Sequence, residues 1–214
     1  MSRPLLLGHR GARSLKSIPE NTLAAFDRAL ADGCDGFEFD VRLTADGQAV
    51  VHHDPKTGDL EIARATALQL PTLLLLHDVL ARYPMAFLDI ELKVPGLEKA
   101  VIEAVRKCQP QRFVVSSFLP EVLGTLHAAD ASIPLGLICE TRVQLLAWDR
   151  LPVKYLIPHR GLIDRFLIGE VRAAGKKVMV WTVNAAVEMK QFAAYGVDGI
   201  ISDSPRLLCR ILAE

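Results

Sequence analysis

Eight short apolar runs alternate along this chain with segments of helical periodicity, and that rhythm excludes most architectures before any single residue is weighed. The runs are Leu5–Gly8, Gly36–Arg42, Ala86–Leu92, Arg112–Ser116, Pro134–Cys139, Lys154–Pro158, Lys177–Val183 and Gly199–Ser202. Strands joined through helices pair in parallel, whereas an antiparallel neighbour needs only a short turn. Between the runs, Thr22, Leu23, Phe26 and Leu30 fall at helical spacing, as do Leu97, Val101 and Val105, and Phe166, Leu167 and Val171. Pro71, Pro120 and Pro205 stand where helices are expected to begin, and Gly33, Gly175 and Gly196 where they are expected to end. Eight βα units in 214 residues close best as one domain, a (β/α)8 TIM barrel over residues 1–214. The alternative is an open doubly wound sheet, weakened because no Gly-x-Gly-x-x-Gly follows the first run.

Charge excludes several partners. Lys and Arg number 25, Asp and Glu 25, with no clustered basic face, so nucleic acid is not expected. Leu5-Leu6-Leu7 and Leu73–Leu76 are too short to span a bilayer, so no stable membrane insertion is expected and the chain reads as cytoplasmic. Cys34, Cys108, Cys139 and Cys209 are scattered without a Cys-x-x-Cys and read as reduced, mostly buried thiols.

Chemistry concentrates in Gly36–Asp54. In Phe37-Glu38-Phe39-Asp40-Val41 acids alternate with apolar residues, so a strand here sends Glu38 and Asp40 to one face. Two adjacent buried acids repel unless a cation lies between them, and a hard divalent ion is the natural partner. Thr44-Ala45-Asp46-Gly47 then turns the chain, and Ala49–Asp54 returns as an extension at the rim that carries His53 back toward the acids. Strand alternation sends its neighbour His52 the other way.

Barrel sites lie at the carboxyl ends of the strands. In this sequence those ends carry His9-Arg10, Glu38, Asp40, His53, Glu91, Lys93, Ser116-Ser117, His159, Trp181, Asn184 and Asp203. Glu38, Asp40 and Glu91 form an oxygen-only ligand set suited to one divalent cation, Mg²⁺ or Ca²⁺. His9 and His53 suit general acid and base duty, and Arg10 and Lys93 add positive charge. Such a cavity suits a small-molecule phosphate ester. Trp181 reads equally as a barrel filler or a wall of the substrate cleft. His52, His77, His127 and His159 read as structural, and Glu20-Asn21-Thr22 as a helix start that buttresses the site.

Seven ordered blocks carry a resemblance. His9-Arg10-Gly11, Pro19–Thr22, Glu38–Val41 with Thr44 and Asp46-Gly47, Val51 with His53-Asp54, Ile90–Lys93, Ser117-Phe118 and Val180–Asn184 together resemble the glycerophosphodiester phosphodiesterases. The resemblance implies a (β/α)8 barrel and one divalent metal on Glu38, Asp40 and Glu91. It further implies His9 and His53 as the acid/base pair, with phosphate contacts from Arg10 and Lys93. The implied reaction is hydrolysis of glycerophosphodiesters to sn-glycerol 3-phosphate and an alcohol. Between Asp54 and Pro71 the family usually carries a longer capping segment, so Pro55–Leu70 predicts a more open pocket. That opening raises lysophospholipase D action on lipid-sized diesters as an alternative. A non-catalytic phosphate-ester-binding barrel is the alternative of a different class.

Overall fold

The computed structural model describes residues 3–212. In chain order its strands are β1 Leu5–Gly8, β2 Gly36–Leu43, β3 Ala49–Val51, β4 Lys56–Thr57, β5 Leu60–Glu61, β6 Phe87–Leu92, β7 Arg112–Ser117, β8 Leu135–Cys139, β9 Tyr155–Pro158, β10 Lys177–Val180 and β11 Gly199–Ser202. Its helices are α1 Leu23–Ala31, α2 Leu76–Arg82, α3 Glu98–Cys108, α4 Pro120–Ala129, α5 Arg142–Leu145, α6 Arg165–Ala173, α7 Ala186–Tyr195 and α8 Pro205–Leu212.

Parallel pairing runs from β1 through β11, β10, β9, β8, β7 and β6 to β2, and β2 pairs with β1 through Leu7↔Gly36 and Gly8↔Phe37. The eight parallel strands therefore close, and the chain is the (β/α)8 barrel expected from the alternation. The hairpin also forms: β3 lies antiparallel on β2, with Val41 opposite Val51, and stands outside the closed ring. The segment 55–70 folds into the β4–β5 ribbon and two short 3₁₀ turns, packing Ile62, Ala65 and Leu70 against Val50.

Alternation within each strand divides the molecule into two apolar layers. Phe37, Phe39 and Val41 face outward onto α1 and α2, where Phe26 stacks on Phe37 with centroids 4.2 Å apart and planes 7° off parallel. Burial of each such ring contributes about 1.5–3 kcal/mol. Leu7, Phe87, Val114, Ile138, Tyr155, Ile157, Met179 and Ile201 point inward and fill the barrel. Polar residues two positions further along the same strands inherit that inward direction at the mouth.

Three expectations shift. Strand seven ends at Val180 rather than Val183, because beyond it only the single bridge between His159 and Trp181 is made before Val183 N–H bonds the Ile201 carbonyl on the other neighbour. No helix begins at Pro71, which lies in a turn; α2 starts at Leu76. Phe166 is 73% exposed in the first turn of α6, and the buried stripe is Leu167, Ile168 and Val171. Pro120 and Pro205 do open α4 and α8, while Gly33, Gly175 and Gly196 follow helix ends with positive φ. All four cysteines are free thiols, with Cys34 and Cys209 in contact at 3.6 Å between sulfurs.

Candidate active site

The carboxyl ends of the strands enclose a cavity of about 260 Å³. Glu38 and Asp40 enter from β2 and Glu91 from β6, brought level by the register Asp40↔Glu91. All three are buried, and one carboxylate oxygen of each lies within 4.8 Å of the others. Glu38 Oε1 is buried without a hydrogen-bond donor. Three converging carboxylates, with Glu38 Oε1 unsatisfied, fit a divalent cation of the Mg²⁺ or Ca²⁺ type.

The chain's own cations hold this charge in place. Lys93 Nζ lies 2.5 Å from Glu91 Oε1 and 2.9 Å from Asp40 Oδ1. The Arg10 backbone N–H donates to Glu38 Oε2 at 2.9 Å, which requires the turn after β1 to bend sharply, and Arg10 does so at φ 49°. Gly11 follows at φ 84° against the Ala25 backbone, where a Cβ would sit 2.6 Å from the Ala25 carbonyl carbon. The Arg10 guanidinium reaches Glu20 Oε1 at 2.7 Å and lies 3.2 Å from Asp40 Oδ2. Asn21 Nδ2 donates to the same Asp40 oxygen at 2.8 Å, and Thr22 caps α1 by accepting from Ala25 N. The 9–22 loop thus grips the acids from one side.

Burial pushes the Glu38 carboxyl well up, reinforced by the Asp40 and Glu91 charges. Burial likewise takes Glu91 up to about 6, against the pull of Lys93. Burial acts on Asp40 too, but Lys93 and Arg10 outweigh it and hold the group below the usual carboxylate range. One floor down, Asp89 is pushed to about 7, chiefly by burial; its Oδ1 accepts from Ser116 Oγ at 2.6 Å and its Oδ2 has no partner.

The two histidines share one arrangement. His9 Nδ1 donates to Asp203 Oδ1 at 2.6 Å and His53 Nδ1 to Asp54 Oδ1 at 2.7 Å. Asp203 stays ionised: burial raises it, but His9, Asn184 and Arg13 bring it to about 2. A carboxylate has no proton to give, so Nδ1 of each ring carries the hydrogen and Nε2 is left for chemistry. His9 Nε2 lies 3.7 Å from Glu38 Oε2, and both histidines line the cavity. Burial lowers the His53 pKa, with Asp54 opposing.

The rest of the lining is apolar apart from the Glu140 carboxyl just beyond β8. Trp181, Phe118, Ile138 and Ile157 contribute to it, with Trp181 edge-on to Phe118 at 5.6 Å and its Nε1 donating to the Ile157 carbonyl at 2.9 Å. Trp181 therefore stands at the cleft rather than deep in the barrel. All eight residues singled out from sequence border this region: His9, Arg10, Glu38, His53, Glu91, Lys93 and Trp181 line the cavity and Asp40 lies beneath them. His52 turns away to the Lys56 carbonyl, and Ser117 is used internally, donating to the Leu92 carbonyl and accepting from Leu119 N. His127 is exposed on α4. No residue of 55–70 borders the cavity.

Sequence reasoning gave Asp89 and Asn21 no individual part, and placed Asp203 at the mouth without its partner. Asp89 was visible in principle, two positions before Glu91 and so on the same face. The Asn21–Asp40 and His9–Asp203 contacts join residues 19 and 194 apart and leave no local signal.

Groups able to neutralise an ester's charge and to take and return a proton beside it place this barrel among the phosphoric diester hydrolases. A model of the glycerophosphoryl diester phosphodiesterase family matches residues 9–70 and 88–207. A glycerophosphodiester phosphodiesterase of Caldanaerobacter subterraneus subsp. tengcongensis is 28% identical, the match covering 99% of both chains. A probable glycerophosphodiester phosphodiesterase of Mycobacterium tuberculosis is 55% identical over 51 residues, 24% of this chain. An Oleispira antarctica phosphodiesterase in complex with the product sn-glycerol-3-phosphate superposes with a TM-score of 0.87 at 26% identity, covering 99% of this chain and 98% of that one. The Thermotoga maritima glycerophosphodiester phosphodiesterase shares the fold, with a TM-score of 0.85 at 24% identity and 99% coverage of both chains. The chain belongs to the glycerophosphoryl diester phosphodiesterase family.

Proposed function

We propose that this enzyme hydrolyses a glycerophosphodiester to sn-glycerol 3-phosphate and an alcohol, with His9 and His53 as the proton-transfer pair. The observation that carries the reading is the convergence of two aspartate-backed imidazoles and three buried carboxylates on one cavity. Glu38, Asp40 and Glu91 would hold one divalent cation, which when bound supplies positive charge to a phosphoryl oxygen.

The chain's own side chains then divide the work. His53, neutral because burial lowers its pKa, accepts the proton of the attacking hydroxyl at Nε2. His9, its Nδ1–H held by Asp203, enters the step protonated at Nε2 as well and gives that second proton to the leaving alkoxide. Arg10 and Lys93 present charge to the non-bridging oxygens. Trp181 and Phe118 exclude water on one side and pack the organic part of the substrate. The family product seen with the Oleispira antarctica relative supports glycerol phosphate as the half that the charged side retains.

The test is direct. Purified protein with Mg²⁺ or Ca²⁺ is incubated with glycerophosphocholine, glycerophosphoethanolamine and glycerophosphoglycerol, and glycerol 3-phosphate is assayed enzymatically. Release from at least one supports the reading; none from any of them refutes it. The apolar wall, with no contribution from 55–70, also favours lipid-sized diesters. Release of choline from lysophosphatidylcholine, with lysophosphatidic acid as the other product, at a rate equal to or faster than release from glycerophosphocholine would assign lysophospholipase D action instead.

A further inference from the structure

A second concavity lies at the amino-terminal ends of the strands, at the far end of the barrel from the mouth. It encloses about 680 Å³ and is lined by five cationic side chains and a single carboxylate, in a chain whose net charge is zero. Arg3 is answered by Asp35 at 2.7 Å. Arg172 spends one donor on the Gly196 carbonyl. Among the described residues Arg112, Lys154, Arg172 and Lys177 form no ion pair with any carboxylate inside 4.0 Å. The one acid, Asp198, is already accepting from the Val178 N–H at 2.9 Å.

The fold, not a loop, aims these charges. The ladder sets Arg112 opposite Phe87 and Lys177 opposite Tyr155, and directly paired residues share a face of the sheet. A buried aromatic floor, Phe87 edge-on to Tyr155 at 6.2 Å, thus carries cations around its rim. Arg112 lies 5.9 Å from the Phe87 centroid, while Lys154 and Lys177 lie 6.0 and 5.8 Å from that of Tyr155. Two ammonium groups gathered on one ring repel each other, and a concave low-dielectric wall concentrates their potential.

We propose that this bowl binds a small soluble anion carrying two or more phosphate groups. A single monoanion leaves most of the charge unanswered, whereas a di- or triphosphate spans it; guanidinium groups match phosphate oxygens in geometry. The volume falls among small-molecule sites, about 300–1,000 Å³. A flat bilayer reaches the rim but not the floor, and docking there turns the catalytic mouth away from the lipid. The proposal is independent of the reaction assigned to the mouth.

Calorimetric titration of the full chain in EDTA, with inorganic tripolyphosphate and in a parallel arm ATP, tests it. One saturable site is expected, undisturbed by saturating sn-glycerol 3-phosphate. Lys154→Ala with Lys177→Ala weakens binding about tenfold or more, Arg112→Gln does so separately, and the double Lys→Arg variant restores it. Turnover at the mouth stays within about twofold throughout, which also shows that the variants fold. Tighter ATP binding assigns a nucleotide and equal affinities assign the phosphate chain, and both support the proposal. No saturation at millimolar anion, unchanged affinity in the alanine pair, or displacement by glycerol phosphate overturns it. So does lysine-dependent sedimentation with phosphatidylserine vesicles in the absence of anion binding.

Discussion

His9 and Asp203 meet at 2.6 Å, Nδ1 to Oδ1, across the seam where β1 pairs with β11 and the barrel closes. Asn184 holds the second Asp203 oxygen at 2.7 Å, so the carboxylate cannot rotate away from the ring. Closure of the barrel therefore also fixes the tautomer of a proposed catalytic group.

Asp203→Asn keeps the shape and removes the charge. Turnover is expected to fall about 10- to 10²-fold with little change in melting temperature, the scale seen when a partner that orients a working histidine is lost. Because the effect passes through His9, Asp203→Asn added to His9→Ala should cost almost nothing more. Rates of the two single variants and the double variant on glycerophosphocholine measure this. Multiplying losses would show that Asp203 acts independently.

His53 has its pKa lowered, first by burial, so it is neutral at pH 7 and becomes protonated only in more acidic solution. A group that works as proton acceptor loses activity when protonated. A plot of kcat/KM against pH should therefore show an acid limb lying below the usual imidazole value of about 6.5. His53→Ala removes that limb and lowers the rate about 10²–10⁴-fold, as does His9→Ala for the donor role. His127→Ala, on the exposed face of α4, stays near wild type. Equal rates in all three variants would refute the assignment.

Much of this was legible before the fold was known. The period-two alternation of Phe37–Val41 and Ile90–Lys93 states which side chains point inward, and the phase of each strand carries that direction to the mouth. The short turn at Asp46-Gly47 forces the antiparallel return that lifts His53. What stayed hidden depends on closure. Whether Asp203 touches His9, or Asn21 touches Asp40, is decided by how the last strand meets the first and how the 9–22 loop folds back. The exposed Phe166 shows the opposite limit, since helical periodicity marks an apolar face without saying where the helix begins.

Lys93 bridges Asp40 and Glu91, so its ammonium shares its carboxylates with the proposed cation site. Glu91→Gln removes a ligand but leaves Glu38 and Asp40, and should raise the metal concentration for half-maximal activity about 10-fold or more while saturating metal recovers part of the rate. EDTA should abolish turnover of the wild type, with recovery on adding Mg²⁺ or Ca²⁺. Titrating metal into chelated wild type and Glu91→Gln by activity measures both. An unchanged midpoint would remove Glu91 from the ligand set.

Asp89 sits fully buried beneath the acids with Oδ2 unpartnered and its pKa pushed to about 7, mainly by burial and then by the Glu91 and Asp40 charges. The unfolded chain releases this proton near 3.8. Between those values the folded protein binds the proton and the unfolded chain does not, so stability is lost as pH rises through that window. Asp89→Asn keeps the hydrogen bond from Ser116 and cannot ionise. Urea unfolding in EDTA should therefore show the variant more stable than wild type by about 2–4 kcal/mol at pH 7 and above, shrinking toward zero at pH 4. A gap independent of pH, or one that grows in acid, would show that Asp89 is not held protonated in the folded barrel.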